Sequence, residues 1–211
     1  MGRAEERRFV DRLDRALNFL VALGLLVFLA PVMLIIALAV KLGDGGPALF
    51  AHKRIGLGGR SFYCLKFRSM AVDSEARLQK LLAESAEARA EWARDQKLKS
   101  DPRITFVGEL LRKSSLDELP QLINVLRGEM SLVGPRPIVT AEIERYGRYF
   151  RDYCNVRPGI TGLWQVSGRN DVRYSRRVAM DTVYSRTRTL AMDARILVMT
   201  VPAVLLRRGS Y

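Results

Sequence analysis

The chain has 211 residues, a length that suits one compact domain with one core and one active site. Its 35 Lys and Arg against 22 Asp and Glu leave a net charge of +13, which draws a protein toward anionic lipid, nucleic acid or phosphorylated substrates without choosing among them. The two cysteines, Cys64 and Cys154, lie far apart and fit no metal-ligand spacing, which indicates neither a disulfide framework nor a zinc site and suits a reducing cytoplasm; the single histidine, His52, sits in a strand-like stretch away from any triad partners and reads as structural.

From Phe19 to Val40 the chain carries no charge. At about 1.5 Å per helical residue this run is long enough to cross a hydrocarbon core of about 30 Å. It is too long for the apolar region of a signal peptide and no small-residue cleavage site follows, so a retained anchor is predicted. Pro31, at its centre, removes a helical hydrogen bond. Arg7, Arg8, Arg12 and Arg15 precede the run and Lys41, Lys53, Arg54 and Arg60 follow it, so the positive-inside rule wants both ends in the cytoplasm. A re-entrant hairpin satisfies both ends, and a kinked transmembrane helix is equally compatible with the length. Residues 1–48 are therefore the predicted anchor and residues 49–211 the predicted cytoplasmic domain.

Leu49 to Lys53 and Ser61 to Phe67 read as short strands around Gly58-Gly59, a pair that tolerates the positive φ of a tight turn. The run Arg54 to Arg60 is neither a Walker loop nor a GxGxxG fingerprint, so its glycines read as turn residues. Ser74 to Lys97 is rich in Ala, Glu, Arg, Leu and Lys, with Leu78, Leu81 and Leu82 on a recurring face, which predicts one exposed amphipathic helix. Ile196 to Leu206 is apolar but too short to span, and Arg207-Arg208 follow; an interfacial helix and a buried core helix both fit.

The chemistry concentrates between Asp101-Pro-Arg-Ile-Thr105 and Gly134-Pro-Arg-Pro137, where Asp117 and Glu118 lie between Arg112 and Arg136. Neighbouring side chains on a regular helix diverge by about 100°, so two adjacent carboxylates share a target only if the backbone is irregular or their roles differ. Pro120 supplies a reason for irregularity at Leu119. The bland alternative is a capping box, Ser115 with Glu118 three residues on. A helix start flanked by two arginines is suited to a diphosphate, and carboxylates beside it can attack phosphorus or hold a divalent metal that bridges phosphate oxygens. An ionised carboxylate needs no general base to act as nucleophile, which fits the lack of a nearby histidine. The Gly-Pro-Arg-Pro run fixes Arg136 with little freedom.

Four ordered motifs, KFRSM (Lys66 to Met70), DPRIT (Asp101 to Thr105), LRKSSLDELPQLINVLRGEMSLVGPRP (Leu111 to Pro137) and VRPGITGLWQVSGRN (Val156 to Asn170), strongly resemble the bacterial sugar transferase family, the monotopic phosphoglycosyl transferases of exopolysaccharide-initiating type. The resemblance runs from the apolar segment to the C-terminus. It implies an α+β fold: a re-entrant membrane hairpin with Pro31 at its apex, then a small catalytic domain of short strands and amphipathic interfacial helices on the cytoplasmic face of the inner membrane. Many members have Ser-Pro at the break; this chain has Ala30-Pro31, which places more of the break on proline. The implied reaction moves a hexose 1-phosphate from a UDP-sugar to polyprenyl phosphate, with Asp117 as nucleophile and a phosphosugar-aspartyl intermediate. Glu118, with Asp117, is implied to hold Mg²⁺ or to orient the acceptor. Arg112 and Arg136, with Lys66 and Arg68 of the KFRSM motif, are implied to bind phosphate and substrate. Membrane lipid is an implied partner, and homodimerisation stays open. The motif around Trp164 looks more like members using glucose or galactose than those using modified amino sugars.

A nucleic-acid partner accounts for the charge but for few of the motifs, since the arginines are scattered and no recognised module is present. A catalytically dead scaffold of the same fold sits poorly with retention of both Asp117 and Glu118. A hydrolase releasing sugar phosphate to water differs only in its product.

Overall fold

The computed structural model describes residues 3–95, 98, 100–168 and 172–205. The first element, α1 (Arg3–Asp44), is assigned as one helix through Pro31. One stripe of it, Ala22, Leu26, Leu29, Met33, Ile36 and Val40, repeats at helical spacing and faces the rest of the chain. Leu20, Phe28, Leu34, Ile35 and Leu38 are exposed on the other side. The helix therefore lies along the domain instead of standing clear of it, and the halves before and after Pro31 both touch it. Arg15, counted in the sequence as a flanking charge, turns inward: it donates to the carbonyls of Val125 at 2.6 Å and Leu126 at 3.0 Å.

After α1 comes an antiparallel hairpin of β1 (Leu49–Ile55) and β2 (Ser61–Phe67), paired from Leu49 with Phe67 to Ile55 with Ser61. The first strand runs two residues beyond the predicted end at Lys53. Gly58 and Gly59 adopt φ of 66° and 73° in the turn, the backbone region that favours glycine. On β2, Phe62 and Cys64 point into the core with Leu122, Val125 and Met130.

The single helix predicted for Ser74 to Lys97 is two, α2 (Ser74–Glu84) and α3 (Ala86–Asp95), with Lys97 outside the described residues. Ser85 between them is extended (φ −122°, ψ 118°), and its hydroxyl accepts from the Ala88 amide at 3.1 Å. Serine competes with the helix for backbone donors, so it starts a new helix here instead of continuing the old one.

Next is α4 (Phe106–Ser114), capped by Thr105, whose hydroxyl accepts from the Gly108 amide at 2.9 Å. Then follow α5 (Gln121–Arg127) and β3 (Ser131–Val133). Two short helices, α6 (Ile143–Tyr146) and α7 (Phe150–Cys154), lead to β4 (Gly159–Thr161), which pairs parallel with β3 through Ser131 with Gly159 and Val133 with Thr161. The chain closes with α8 (Leu163–Val166), α9 (Tyr174–Thr187) and α10 (Leu190–Leu205). The last begins six residues before the predicted Ile196; Ile196 is buried, while Leu197, Val198 and Val201 are exposed. Leu206 lies outside the described residues. The architecture is mixed, mainly helical with two small sheets.

Candidate active site

The site forms where α4 ends. Ser115 takes a left-handed conformation (φ 58°), the one non-glycine positive φ among the described residues, and the chain turns into a 3-10 turn over Leu116–Glu118 before Pro120 opens α5. The capping box does not form, because Ser115 makes no side-chain cap. Its carbonyl instead accepts from the Glu118 amide at 3.2 Å. Backbone irregularity at the dyad, anticipated from Pro120, thus takes the form of a reversal at Ser115 and a tight turn.

Lys66, half-buried on β2, gathers the two carboxylates. Its Nζ lies 2.5 Å from Glu118 Oε1 and 3.8 Å from Asp117 Oδ2. Burial pushes the Asp117 carboxyl above the usual aspartate range; Lys66 opposes the rise, Glu118 adds to it, and Arg112 opposes it. Glu118 ends below the usual glutamate range, because burial is outweighed there by Lys66 and, after it, Arg136 and Arg54. The adjacent carboxylates are therefore driven apart, Glu118 toward the fixed anion and Asp117 toward the more basic carboxylate. A more basic carboxylate is the better nucleophile once ionised.

Arg136 follows β3 on the rigid Gly134-Pro135 step and is exposed. Gly134 is required there, since a Cβ would lie 2.4 Å from the Arg157 carbonyl. Arg136 lines one pocket with Lys66 and Glu118, together with Arg54, Cys64 and Gln165. Arg54 had been counted only as a charge flanking the anchor. Its Nη1 donates to the Pro137 carbonyl at 3.1 Å, and burial followed by the Arg136 charge pushes its pKa down. The sequence around Arg54 does not mark it, because the Pro137 carbonyl that turns it toward the pocket is 83 positions away.

The remaining candidates sit elsewhere. Arg112 donates from Nε to Ser69 Oγ at 2.9 Å and feels the charges of Asp117 and Asp101, so it stands behind the dyad and does not line the pocket. Arg68 is buried, donating from Nη1 to Asp44 Oδ2 and from Nε to the Pro47 carbonyl, each at 2.7 Å. It ties the end of α1 to β2 and lies off the pocket that holds Lys66. His52 is exposed on β1 with Nδ1 3.2 Å from Arg54 Nη2, and both cysteines are free.

Among the described residues, no three His, Cys, Asp or Glu side chains cluster to hold a metal. Asp117 and Glu118 nevertheless fit Mg²⁺, which takes one or two carboxylates and completes its shell with water and substrate phosphate. Glu118 would have to share Oε1 with Lys66 to do so.

Glu118 and Lys66 line the arginine-containing pocket, and Asp117 lies beside them without lining it; carboxylates and guanidinium groups so arranged suit phosphate chemistry. The chain belongs to the bacterial sugar transferase family, whose family model matches residues 9–207; the enzyme class implied by the sequence, a transferase, is that of the family. It is 49% identical over 197 residues to the exopolysaccharide production protein ExoY of Sinorhizobium fredii, covering 93% of this chain and 87% of that one. The undecaprenyl-phosphate galactose phosphotransferase of Salmonella typhimurium is 51% identical over 199 residues, covering 94% of this chain and 42% of its own length. The UDP-glucose:undecaprenyl-phosphate glucose-1-phosphate transferase of Caulobacter vibrioides is 41% identical over 210 residues, with 96% and 73% covered. The chain thus spans less than half of some curated relatives and most of others.

Proposed function

We propose that this chain transfers a hexose 1-phosphate, glucose or galactose, from a UDP-sugar to polyprenyl phosphate, the first membrane step of a surface glycan. The observation that carries the reading is the Asp117–Glu118 pair held by Lys66 beside Arg54 and Arg136. In the first half-reaction Asp117 Oδ attacks the phosphorus bearing the hexose, an O–P bond forms, the anhydride bond to the second phosphate breaks, and UMP leaves. In the second, a phosphate oxygen of the lipid attacks the same phosphorus and returns the Asp117 carboxylate, giving polyprenyl-diphosphate-hexose. Arg136 and Arg54 hold phosphate oxygens through planar, multiply donating guanidinium groups. Arg112 stabilises the ionised Asp117 from behind, and Lys66 keeps Glu118 anionic and turned toward the dyad. Mg²⁺, held by Asp117 and Glu118, would supply positive charge to phosphate oxygens.

The lipid phosphate sits at headgroup level, so the domain has to rest on the same leaflet. Contact of both halves of α1 with that domain supports a segment that stays on one face of the bilayer; a re-entrant bend at Pro31, through which α1 is continuous, is carried by the basic flanks of the run. The exposed apolar face of α10 supports a second point of interfacial contact.

Mixing the protein with UDP-sugar and no lipid tests the covalent step. Mass spectrometry is expected to find a phosphohexose on the peptide carrying Asp117, with UMP released at about one per enzyme because the first half-reaction turns over once. Asp117→Asn abolishes both. Release of UMP only when polyprenyl phosphate is present, with no adduct, would establish direct transfer and recast Asp117 as metal ligand or base.

A further inference from the structure

Gln165, at the third position of α8, holds a polar atom that the chemistry above does not use. Its Nε2 donates to the Ile160 carbonyl at 3.2 Å, and only the nitrogen can donate, so this bond fixes which end of the amide is which. The other end, Oε1, is buried and has no hydrogen-bond partner. A buried carbonyl oxygen without a donor is costly and uncommon, and where it persists it marks a place that something else completes.

The side chain lines the same pocket as Glu118, Lys66, Arg54 and Arg136. Lys66, Arg54 and Arg136 account for the phosphates of a nucleotide sugar, whereas an amide oxygen calls for a neutral donor, a hydroxyl or an N–H. The hexose is bonded to the very phosphorus that Asp117 attacks, while the uracil lies a ribose and a further phosphate away. The neutral group nearest the dyad is therefore a sugar hydroxyl. Next to Gln165, Trp164 is buried against the Arg177 guanidinium, 4.6 Å from the ring centroid, which holds α8 firmly enough for its side chains to discriminate. We propose that Gln165 accepts a hydrogen bond from a hydroxyl of the donor hexose and so sets which UDP-hexose is used; this rests on the donor being a UDP-hexose.

The test uses the full chain in lipid nanodiscs containing polyprenyl phosphate. UDP-glucose, UDP-galactose and their monodeoxy analogues are compared with wild type and with Gln165→Leu, and UMP affinity is measured calorimetrically on both proteins. One deoxy analogue is expected to lose at least about tenfold in kcat/KM with wild type, because a site built to bind a hydroxyl rejects the analogue lacking it. Gln165→Leu is expected to lose a similar factor on the parent sugar and nothing more on that analogue, with UMP affinity unchanged. The deoxy series on wild type reads the contact even if the variant folds poorly. A variant that keeps wild-type sugar preference, or one that weakens UMP binding and slows every UDP-sugar equally, overturns the role of Gln165; the second result assigns it to uracil. Wild type that binds UMP yet turns over no UDP-hexose removes the donor assignment itself, and this inference with it.

Discussion

Arg136 and Arg54 converge on one pocket although they lie 82 positions apart in the chain (136 − 54). If they grip phosphate as planar forks, charge alone does not replace them. Arg136→Lys is expected to lower kcat/KM by about tenfold or more, as read by UMP release, and Arg54→Lys to behave alike. Wild-type turnover in Arg136→Lys would reduce that arginine to a turn residue. Away from the pocket, Asp181 on α9 is buried, accepts from Tyr146 OH at 2.7 Å and leaves Oδ1 without a partner. Burial pushes its carboxyl up to about 7, against the lowering effect of Tyr146 and Arg177. Unfolded, it titrates as an ordinary aspartate near 3.9. Between those two values the folded state holds a proton that the unfolded state has lost, so the contribution to stability falls as pH rises through that window and is constant above it. Asp181→Asn removes the slope: wild type is expected to lose melting temperature relative to the variant from about pH 4 to about pH 7. The difference has a ceiling on the order of 4 kcal/mol. A wild type that gains on the variant over this range would mean an ionised Asp181 paired with Arg177.

At the level of the element, α4 carries the site because it seats against the end of β2 with no room to spare. A Cβ on Gly108 would lie 1.9 Å from the Ser69 carbonyl oxygen, and Ser69 also holds Arg112. Gly108→Ala is thus expected to lift α4, lower stability by about 1–3 kcal/mol and cut transfer more than the melting shift alone explains. Gly43→Ala, with nothing within 4 Å of the new methyl, is the matched control and should be silent in both. The same elements mark how far sequence carries. The hairpin around Gly58-Gly59 was legible because its alternation and turn residues are local. So was the dyad, since Asp117, Glu118 and Pro120 share one turn. The parallel pairing of β3 with β4 was not, because three-residue strands hold no periodicity and their partners are supplied by the fold. The break at Ser85 was missed because the composition around it favours helix, and only the hydroxyl bond to Ala88 ends the run. Arg68 shares its motif with Lys66 yet turns to Asp44, because β2 ends at Phe67 and Arg68 lies beyond it, outside the alternation that places Lys66.

For the molecule as a whole, the exposed faces of α1 and α10 make one expectation about topology. Cysteine reporters placed before Phe19 and after Val40 should both react from the cytoplasmic side only; reaction of one from outside would make α1 a full span with a kink at Pro31. Ile36 and Val40 of α1 pack with Phe67 and Leu111, and Leu116 and Leu119, on either side of the dyad, rest on the same cluster. Each buried aliphatic side chain there is worth roughly 1.5–3 kcal/mol. The floor of the turn that carries Asp117 and Glu118 is thus made partly from the apolar helix α1. Cutting α1 away is therefore expected to open the cluster beneath Asp117 to water and to unsettle the turn, not merely to shorten the chain.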